Sequence, residues 1–178
     1  MGLVAATFRT VPALLLLLLP AAAVAAPSRE ARILVGPAFA NVLDTRQVPY
    51  GFLELRPSLR LLERLGPWLS VEGTGRERFV GVGLFTDVPL GPRWTVTPSV
   101  GTGFYSETGG VDLGYRLEFR STLEVTYRFR SGLAVGASIG HFSNAGFGSA
   151  NPGSEAVKLL VSVPWSDLPG GAAARRTR

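Results

Sequence analysis

The chain has 178 residues, 46% of them hydrophobic, with a formal net charge of +5, a single histidine and no cysteine. Without cysteine it has no disulfide framework and no thiolate metal site, and one histidine excludes a multi-histidine metal centre. The modest positive charge suits an anionic lipid surface but selects no partner by itself.

Residues 1–25 are predicted to be a signal peptide. Arg9 provides the positively charged start, residues 11–19 form an apolar run, and Ala23-Val24-Ala25 fits a small-x-small cleavage site before Ala26. The alternative is an uncleaved membrane anchor, for which the apolar run is short. Cleavage removes Arg9 and no acidic residue, so 18 − 1 = 17 basic residues face 13 acidic ones, for a net charge of +4. The remaining 178 − 25 = 153 residues suit one exported domain.

The rest of the chain alternates apolar and polar residues between short clusters of Gly, Pro, Asn and Asp, which is typical of strands and turns. This pattern predicts a barrel over residues 26–165 and a polar tail at 166–178. Residues 59–65 are the one stretch with a helical pattern, and it is too short to change the all-β class. The predicted strands are 30–39, 48–58, 67–74, 78–87, 93–104, 116–130, 133–145 and 154–165.

The strand at 116–130 indicates which way the barrel faces. Its odd positions, such as Leu117, Phe119 and Leu123, are almost all apolar, whereas its even positions include Glu118 and Arg120. Neighbouring residues of a strand point to opposite faces. A soluble lipid-binding barrel would place the apolar face inside, and a membrane barrel would place it on lipid, with the charges paired inside.

Two features favour the membrane arrangement. The strand at 116–130 is longer than the ~9–11 residues that a tilted strand needs to cross a bilayer. The strands at 93–104 and 133–145 each have one face of small or weakly polar residues, which suits a narrow, crowded interior. The sequence therefore predicts an eight-stranded antiparallel outer-membrane β-barrel, with connections 40–47, 75–77, 105–115 and 146–153 outside the cell.

Three residues that could carry chemistry share the outward face near the end of the chain. His141 and Ser143 are two positions apart on one strand, and Glu155 begins the next strand of the same hairpin. Serine becomes a nucleophile when histidine takes its proton and a carboxylate orients that histidine. Asn144 and Gly146 follow the serine and are expected to offer N–H groups to an oxyanion. The alternative is an incidental polar rim, because His-x-Ser is a weak motif by itself.

The sequence Gly-His-Phe-Ser-Asn-Ala-Gly at 140–146, followed by Asn-Pro-Gly-Ser-Glu at 151–155, resembles the lipid A 3-O-deacylases of the PagL family. The resemblance implies an outer-membrane enzyme that hydrolyses the 3-O-linked acyl ester of lipid A without a metal or other cofactor. It implies Ser143 as nucleophile, His141 as general base, Glu155 as orienting acid and Asn144 with Gly146 at the oxyanion. The tail after Trp165 departs from this pattern.

The expected partner is lipid A, or lipopolysaccharide, in the outer leaflet. No nucleic acid is expected, and a homodimer stays open. Acyl chains are expected along the apolar strands near Ile139, Val157 and Phe147, and Arg46, Arg76 or Arg78 are candidates for sugar phosphates. Two other classes of function remain open from the residues alone: a non-enzymatic small outer-membrane barrel for adhesion or membrane integrity, and a secreted lipid-binding barrel.

Overall fold

The computed structural model describes residues 30–45, 47–61 and 64–168. Within them, one strand follows another, and a short 3-10 turn at Trp165–Asp167 comes after the last strand. The predicted signal peptide and most of the predicted tail lie outside the described residues. The strands are β1 (Arg32–Ala40), β2 (Val48–Arg56), β3 (Gly66–Gly73), β4 (Glu77–Phe85), β5 (Val88–Pro89), β6 (Trp94–Glu107), β7 (Leu117–Arg128), β8 (Ala134–Ser143) and β9 (Ser154–Pro164).

The strands form a closed antiparallel barrel. Apart from β4 and the short β5, consecutive strands pair with one another. In addition β1 pairs with β9 and β4 pairs with β6, so the sheet has no free long edge. The two-residue strand β5 continues the line of β4 and pairs with the start of β6. Eight long strands therefore make the wall, which confirms the predicted all-β, eight-stranded antiparallel barrel. No described helix is long and apolar enough to cross a membrane.

The connection between β2 and β3 differs from the helical pattern that its sequence shows at 59–65. Leu61 and Leu65 form an isolated antiparallel bridge and exchange two backbone hydrogen bonds of 2.6 and 2.9 Å. The helical pattern at 59–65 was therefore misleading, because the backbone groups of Leu61 and Leu65 pair in an antiparallel bridge and not along a helix.

The alternation in β7 confirms the membrane-type arrangement. Glu118, Arg120 and Glu124 are almost completely buried, at 0%, 2% and 4% exposure. Leu123 and Val125, on the opposite face, are 41% and 40% exposed. The polar side chains fill the interior and the apolar ones cover the outside, as membrane barrels require.

Most charged side chains in the interior compensate one another; the buried carboxylate of Glu118 has no hydrogen-bond partner among the described residues. Arg56 binds Glu124 at 2.7 Å and Glu54 at 2.8 Å, and Arg120 binds Glu54 at 2.7 Å. Glu72 connects to the same network through Arg120, and a further 2.6 Å contact joins it to Lys158. Buried charges need such partners, because an isolated one would carry a large desolvation cost.

Trp68 fills the middle of the barrel beside this network. Its side chain is 2% exposed, and the Arg120 guanidinium lies 3.7 Å from its ring centroid. Gly83 and Gly101 face the indole, and a Cβ at either position would overlap its ring atoms. These two glycines are therefore required by the close approach of a large side chain.

Both described chain ends lie at the same end of the barrel, which we call the proximal end; the other is the distal end. The distal connections are 41–47, 74–76, 108–116 and 144–153, and the two longest of them lie beside each other. At the proximal end Tyr127 packs edge-on against Trp94 and Phe129, with centroids 5.1 and 5.2 Å away. Aromatic clusters of this kind mark the interfacial girdle of membrane barrels.

Candidate active site

The structure brings His141 and Glu155 together at the distal end of the β8–β9 hairpin. They are direct partners in the strand register, and His141 Nδ1 lies 3.3 Å from Glu155 Oε1. Their side chains are 27% and 35% exposed on the outside of the barrel. This contact leaves the other ring nitrogen, Nε2, available for a different partner.

Ser143 lies on the same outward face, two residues beyond His141 and at the last position of β8. It is partly buried, and its partner on the neighbouring strand is Phe119. No hydrogen bond joins Ser143 Oγ to His141 within the described part of the chain. Rotation about the single Cα–Cβ bond of serine changes this distance without moving the backbone, and such bonds often tighten only when substrate binds.

The residues after Ser143 form a rigid turn. Asn144 is fully buried, and its Nδ2 donates to Leu113 O at 3.0 Å and to Ala150 O at 2.7 Å. Its Oδ1 accepts the Gly146 N–H at 2.9 Å. Ala145 adopts a positive φ of 53°, which an L-residue with a side chain adopts at a cost of about 1 kcal/mol or more. Asn144 thus fixes the turn that follows the nucleophile candidate.

The two predicted oxyanion donors are beside Ser143, but each N–H already has an acceptor. The Asn144 N–H donates to Asn151 Oδ1 at 3.1 Å, and the Gly146 N–H donates to Asn144 Oδ1. Sequence reasoning missed Asn151 and the anchoring carbonyl of Leu113. Leu113 is 31 residues from Asn144 along the chain, so no local pattern could have indicated this contact.

An apolar groove begins at Ser143 and His141 and runs across β7 and β6 to β4. Two outward-facing rows of register partners form it. The upper row is Ser143, Phe119, Thr102 and Val82, and the lower row is His141, Ser121, Val100 and Leu84. Because Ser143 is the distal end of β8 while Val82 is in the middle of β4, the groove descends from the distal rim towards the middle of the barrel wall.

The loop that follows the site borders the groove, where Ala145 lines it. Phe147 is 65% exposed and stacks on Phe119, with centroids 6.0 Å apart and planes 26° apart. Ile139 and Val157, where acyl chains were expected, are exposed on the outer surface towards β9, and the groove lies on the β7 side of Ser143. The part of the chain that the structure describes contains no cluster of three His, Asp or Glu side chains that could hold a metal ion.

Comparison with solved structures places the fold among outer-membrane barrels. The crystal structure of the outer-membrane enzyme PagL aligns with a TM-score of 0.57 and 19% identity, over 76% of this chain and 99% of that one. Designed transmembrane β-barrels align with a TM-score of 0.52 and 14% identity, over 78% of this chain and 97% of theirs. Neisserial surface protein A aligns with a TM-score of 0.52 and 11% identity, over 76% of this chain and 95% of that one. A comparison with curated proteins found no significant match.

The family follows from the sequence itself. The model of the lipid A 3-O-deacylase (PagL) family matches residues 63–164, which is more than half of the chain and includes all of β3 to β9. This chain therefore belongs to the lipid A 3-O-deacylase (PagL) family, which confirms the resemblance seen in residues 140–155.

Proposed function

We propose that this protein is a serine esterase of the outer membrane that removes the 3-O-linked acyl chain of lipid A. Ser143 is the nucleophile, His141 the general base and Glu155 the residue that orients the histidine. Family membership supports the substrate and the reaction, and the geometry of the β8–β9 hairpin supports the three roles.

One observation carries the assignment of roles. His141 and Glu155 are in contact, at 3.3 Å, on the outer surface of a membrane-type barrel, with Ser143 on the same face. A carboxylate and an imidazole are costly where lipid is expected, so polar residues at such positions indicate function. The pair lies at the head of an apolar groove, which is where an ester linking a sugar to an acyl chain would have to be bound.

The chemistry follows the ordinary course of acyl transfer. Ser143 Oγ attacks the ester carbonyl while His141 Nε2 takes its proton, and Glu155 stabilises the resulting imidazolium. The tetrahedral intermediate collapses, the C–O bond to the sugar breaks, and His141 returns the proton to the departing 3-hydroxyl. Water then attacks the acyl-serine with His141 again as base, which releases the fatty acid and restores Ser143.

The oxyanion of the intermediate would be met by N–H groups after Ser143. Asn144 and Gly146 remain our candidates, and their present acceptors are Asn151 Oδ1 and Asn144 Oδ1. Both are neutral amide oxygens, and hydrogen bonds to an ionised acceptor are roughly twice as strong. An oxyanion beside Ser143 would therefore compete well for either donor.

The groove accounts for the lipid part of the substrate. It starts beside the catalytic residues and crosses three strand spacings of about 4.8 Å, so it is roughly 14 Å long. That is close to the length of an extended chain of roughly a dozen carbons. With the chain ends on the periplasmic side and the distal end outside the cell, as predicted for an exported barrel, lipid A of the outer leaflet would reach the site by lateral diffusion.

Mass spectrometry of lipid A tests the proposal. Cells that express the wild-type protein should lose one 3-hydroxyacyl group from lipid A, and cells that express Ser143→Ala should keep it. Ser106→Ala, an exposed serine on β6 away from the groove, is the matched control and should behave as wild type. If wild-type and Ser143→Ala cells both kept the acyl group, the proposed activity would be rejected; if both lost it, Ser143 would be rejected as the nucleophile.

A second variant tests the choice of nucleophile. Ser121 is the register partner of His141 on β7 and also faces outward, so His141 has serines on two sides. If Ser121→Ala abolished activity and Ser143→Ala did not, the nucleophile would be wrongly assigned while the esterase itself stood.

A further inference from the structure

The connection between β6 and β7 is attached to the catalytic turn. The Asn144 side chain donates to Leu113 O at 3.0 Å. Gly114 packs so closely on Ala150 that a Cβ at Gly114 would overlap its carbonyl oxygen. Residues 113–116 therefore have a fixed position along the 144–150 loop, at the distal rim above the groove.

Arg116 is the cation of this segment, and its backbone lies on the distal side of the strand position that pairs with Ser143. Phe119 is the register partner of Ser143, and Arg116 precedes Phe119 by three residues, or about 10 Å of extended chain. The Arg116 carbonyl accepts the Tyr105 N–H at 2.7 Å, which holds its backbone against β6. A sugar headgroup and an arginine side chain can together span a distance of about 10 Å.

The carboxylates at this rim have hydrogen-bond partners, whereas the Arg116 guanidinium has none among the described residues. Each nearby carboxylate accepts a backbone N–H: Glu77 from Val111 at 2.7 Å, Glu107 from Gly110 at 3.0 Å and Asp112 from Gly114 at 2.7 Å. These acids structure the loop. Arg116 is exposed, and among the described residues it forms no ion pair and no side-chain hydrogen bond. Its five N–H donors are therefore available to a ligand.

We propose that Arg116 binds a phosphate group of the lipid substrate and so selects phosphorylated lipid at this site. The proposal rests on the proposed function for the identity of the lipid. Arginine suits the role because its planar guanidinium contacts two phosphate oxygens at once. The apolar groove would hold the acyl chain below the rim while Arg116 holds the charged headgroup at it, and the two contacts together would place the ester at Ser143.

The first experiment measures binding without catalysis. In a Ser143→Ala background, native mass spectrometry in detergent micelles compares phosphorylated lipid A with the same lipid after phosphatase treatment. Arg116→Gln should weaken binding of the phosphorylated lipid about tenfold, as expected for loss of a charge-assisted contact, and should not change binding of the dephosphorylated lipid. Arg130→Gln, an exposed arginine at the proximal end, removes the same charge and should change neither.

If Arg116→Gln weakened binding of the phosphorylated and the dephosphorylated lipid equally, the proposal would be overturned. Unchanged binding of both lipids would also overturn it. Equal competition by phosphatidylglycerol would also overturn it, because the site would then bind membrane phosphates in general. This measurement is independent of whether the protein hydrolyses lipid A.

Kinetics provide the second readout. In an otherwise wild-type protein, Arg116→Gln should raise KM for phosphorylated lipid A about tenfold with little change in kcat, because the phosphate contact is made equally before and during the reaction. Arg116→Lys should recover part of the loss. Hydrolysis of a short neutral p-nitrophenyl ester should be the same in all three proteins; a large loss there would indicate a general disturbance of the site. A wild-type protein inactive on every ester would reject the proposed function and leave the binding result standing.

Discussion

At the scale of single residues, Glu155 is the sharpest test of the proposed chemistry. Glu155→Gln keeps the size of the side chain but removes the negative charge that stabilises protonated His141, and the amide favours the wrong ring tautomer. We expect kcat on lipid A to fall by two to four orders of magnitude, roughly as in other triads that lose this charge. Release of the hydroxy fatty acid by purified protein measures this.

The matched control for Glu155→Gln is Glu107→Gln, an exposed carboxylate of the distal rim outside the groove. It should keep wild-type kcat. Both variants should show the same heat-dependent shift on gel electrophoresis as the wild-type barrel, since neither carboxylate belongs to the interior network. Full activity in a folded Glu155→Gln protein would exclude Glu155 from the mechanism.

The sequence predicted the shared face of His141, Ser143 and Glu155, because side chains alternate strictly along a strand. It could not predict which backbone donors are engaged in the turn. The acceptors of the Asn144 and Gly146 N–H groups depend on Asn151 and on the conformation of residues 144–151. The hydrogen bonds of this turn are set by contacts between loops, and the alternation of apolar and polar residues along a strand does not predict such contacts.

At the scale of strands, the groove makes a prediction about chain length. Val82 lies at the far end of the upper row, three strands from Ser143, and is 55% exposed. In Val82→Trp the indole would cover the end of the groove without disturbing the interior. We expect kcat/KM to fall severalfold for esters with acyl chains of roughly a dozen carbons and to stay unchanged for chains about half as long.

Val71→Trp controls for a large aromatic residue on the outer surface. Val71 is 50% exposed on β3, one strand beyond the groove. Val71→Trp should leave the dependence of kcat/KM on acyl-chain length as in the wild type. If Val82→Trp and Val71→Trp gave the same profile, the acyl chain would not follow β4.

Most strand boundaries were predictable to within about two residues, since turn residues and alternation mark them. The groove could not be predicted from the sequence, because it depends on how four strands are offset against one another. Ser143, Phe119, Thr102 and Val82 form one row only through three successive register pairings. The helical pattern at 59–65 failed for a related reason: pairing between Leu61 and Leu65 overrode local preference.

At the scale of the whole molecule, the barrel separates two kinds of polar group. Most interior charges, such as those of Arg56, Arg120 and Glu54, are paired with one another and inaccessible, whereas His141 and Glu155 are partly exposed on the outer face. Interior pairing lets an apolar outer surface enclose many charges, so the outer surface can carry a small polar site beside an apolar groove. Stability and activity should therefore respond to different substitutions.

Arg120→Met tests this separation. Arg120 is 2% exposed and bridges Glu54 and Glu72, so the substitution leaves two buried carboxylates with one cation fewer. Breaking a buried ion pair from one side costs about 3–5 kcal/mol. We expect a clearly lower urea midpoint for unfolding in detergent micelles. The exposed Arg130→Met should not shift the midpoint. Adding Glu72→Gln to Arg120→Met should restore part of the loss, because the network then again has as many cations as carboxylates. Folded Arg120→Met should retain near wild-type kcat, and an unchanged midpoint would show that the interior network contributes little to the stability of this barrel.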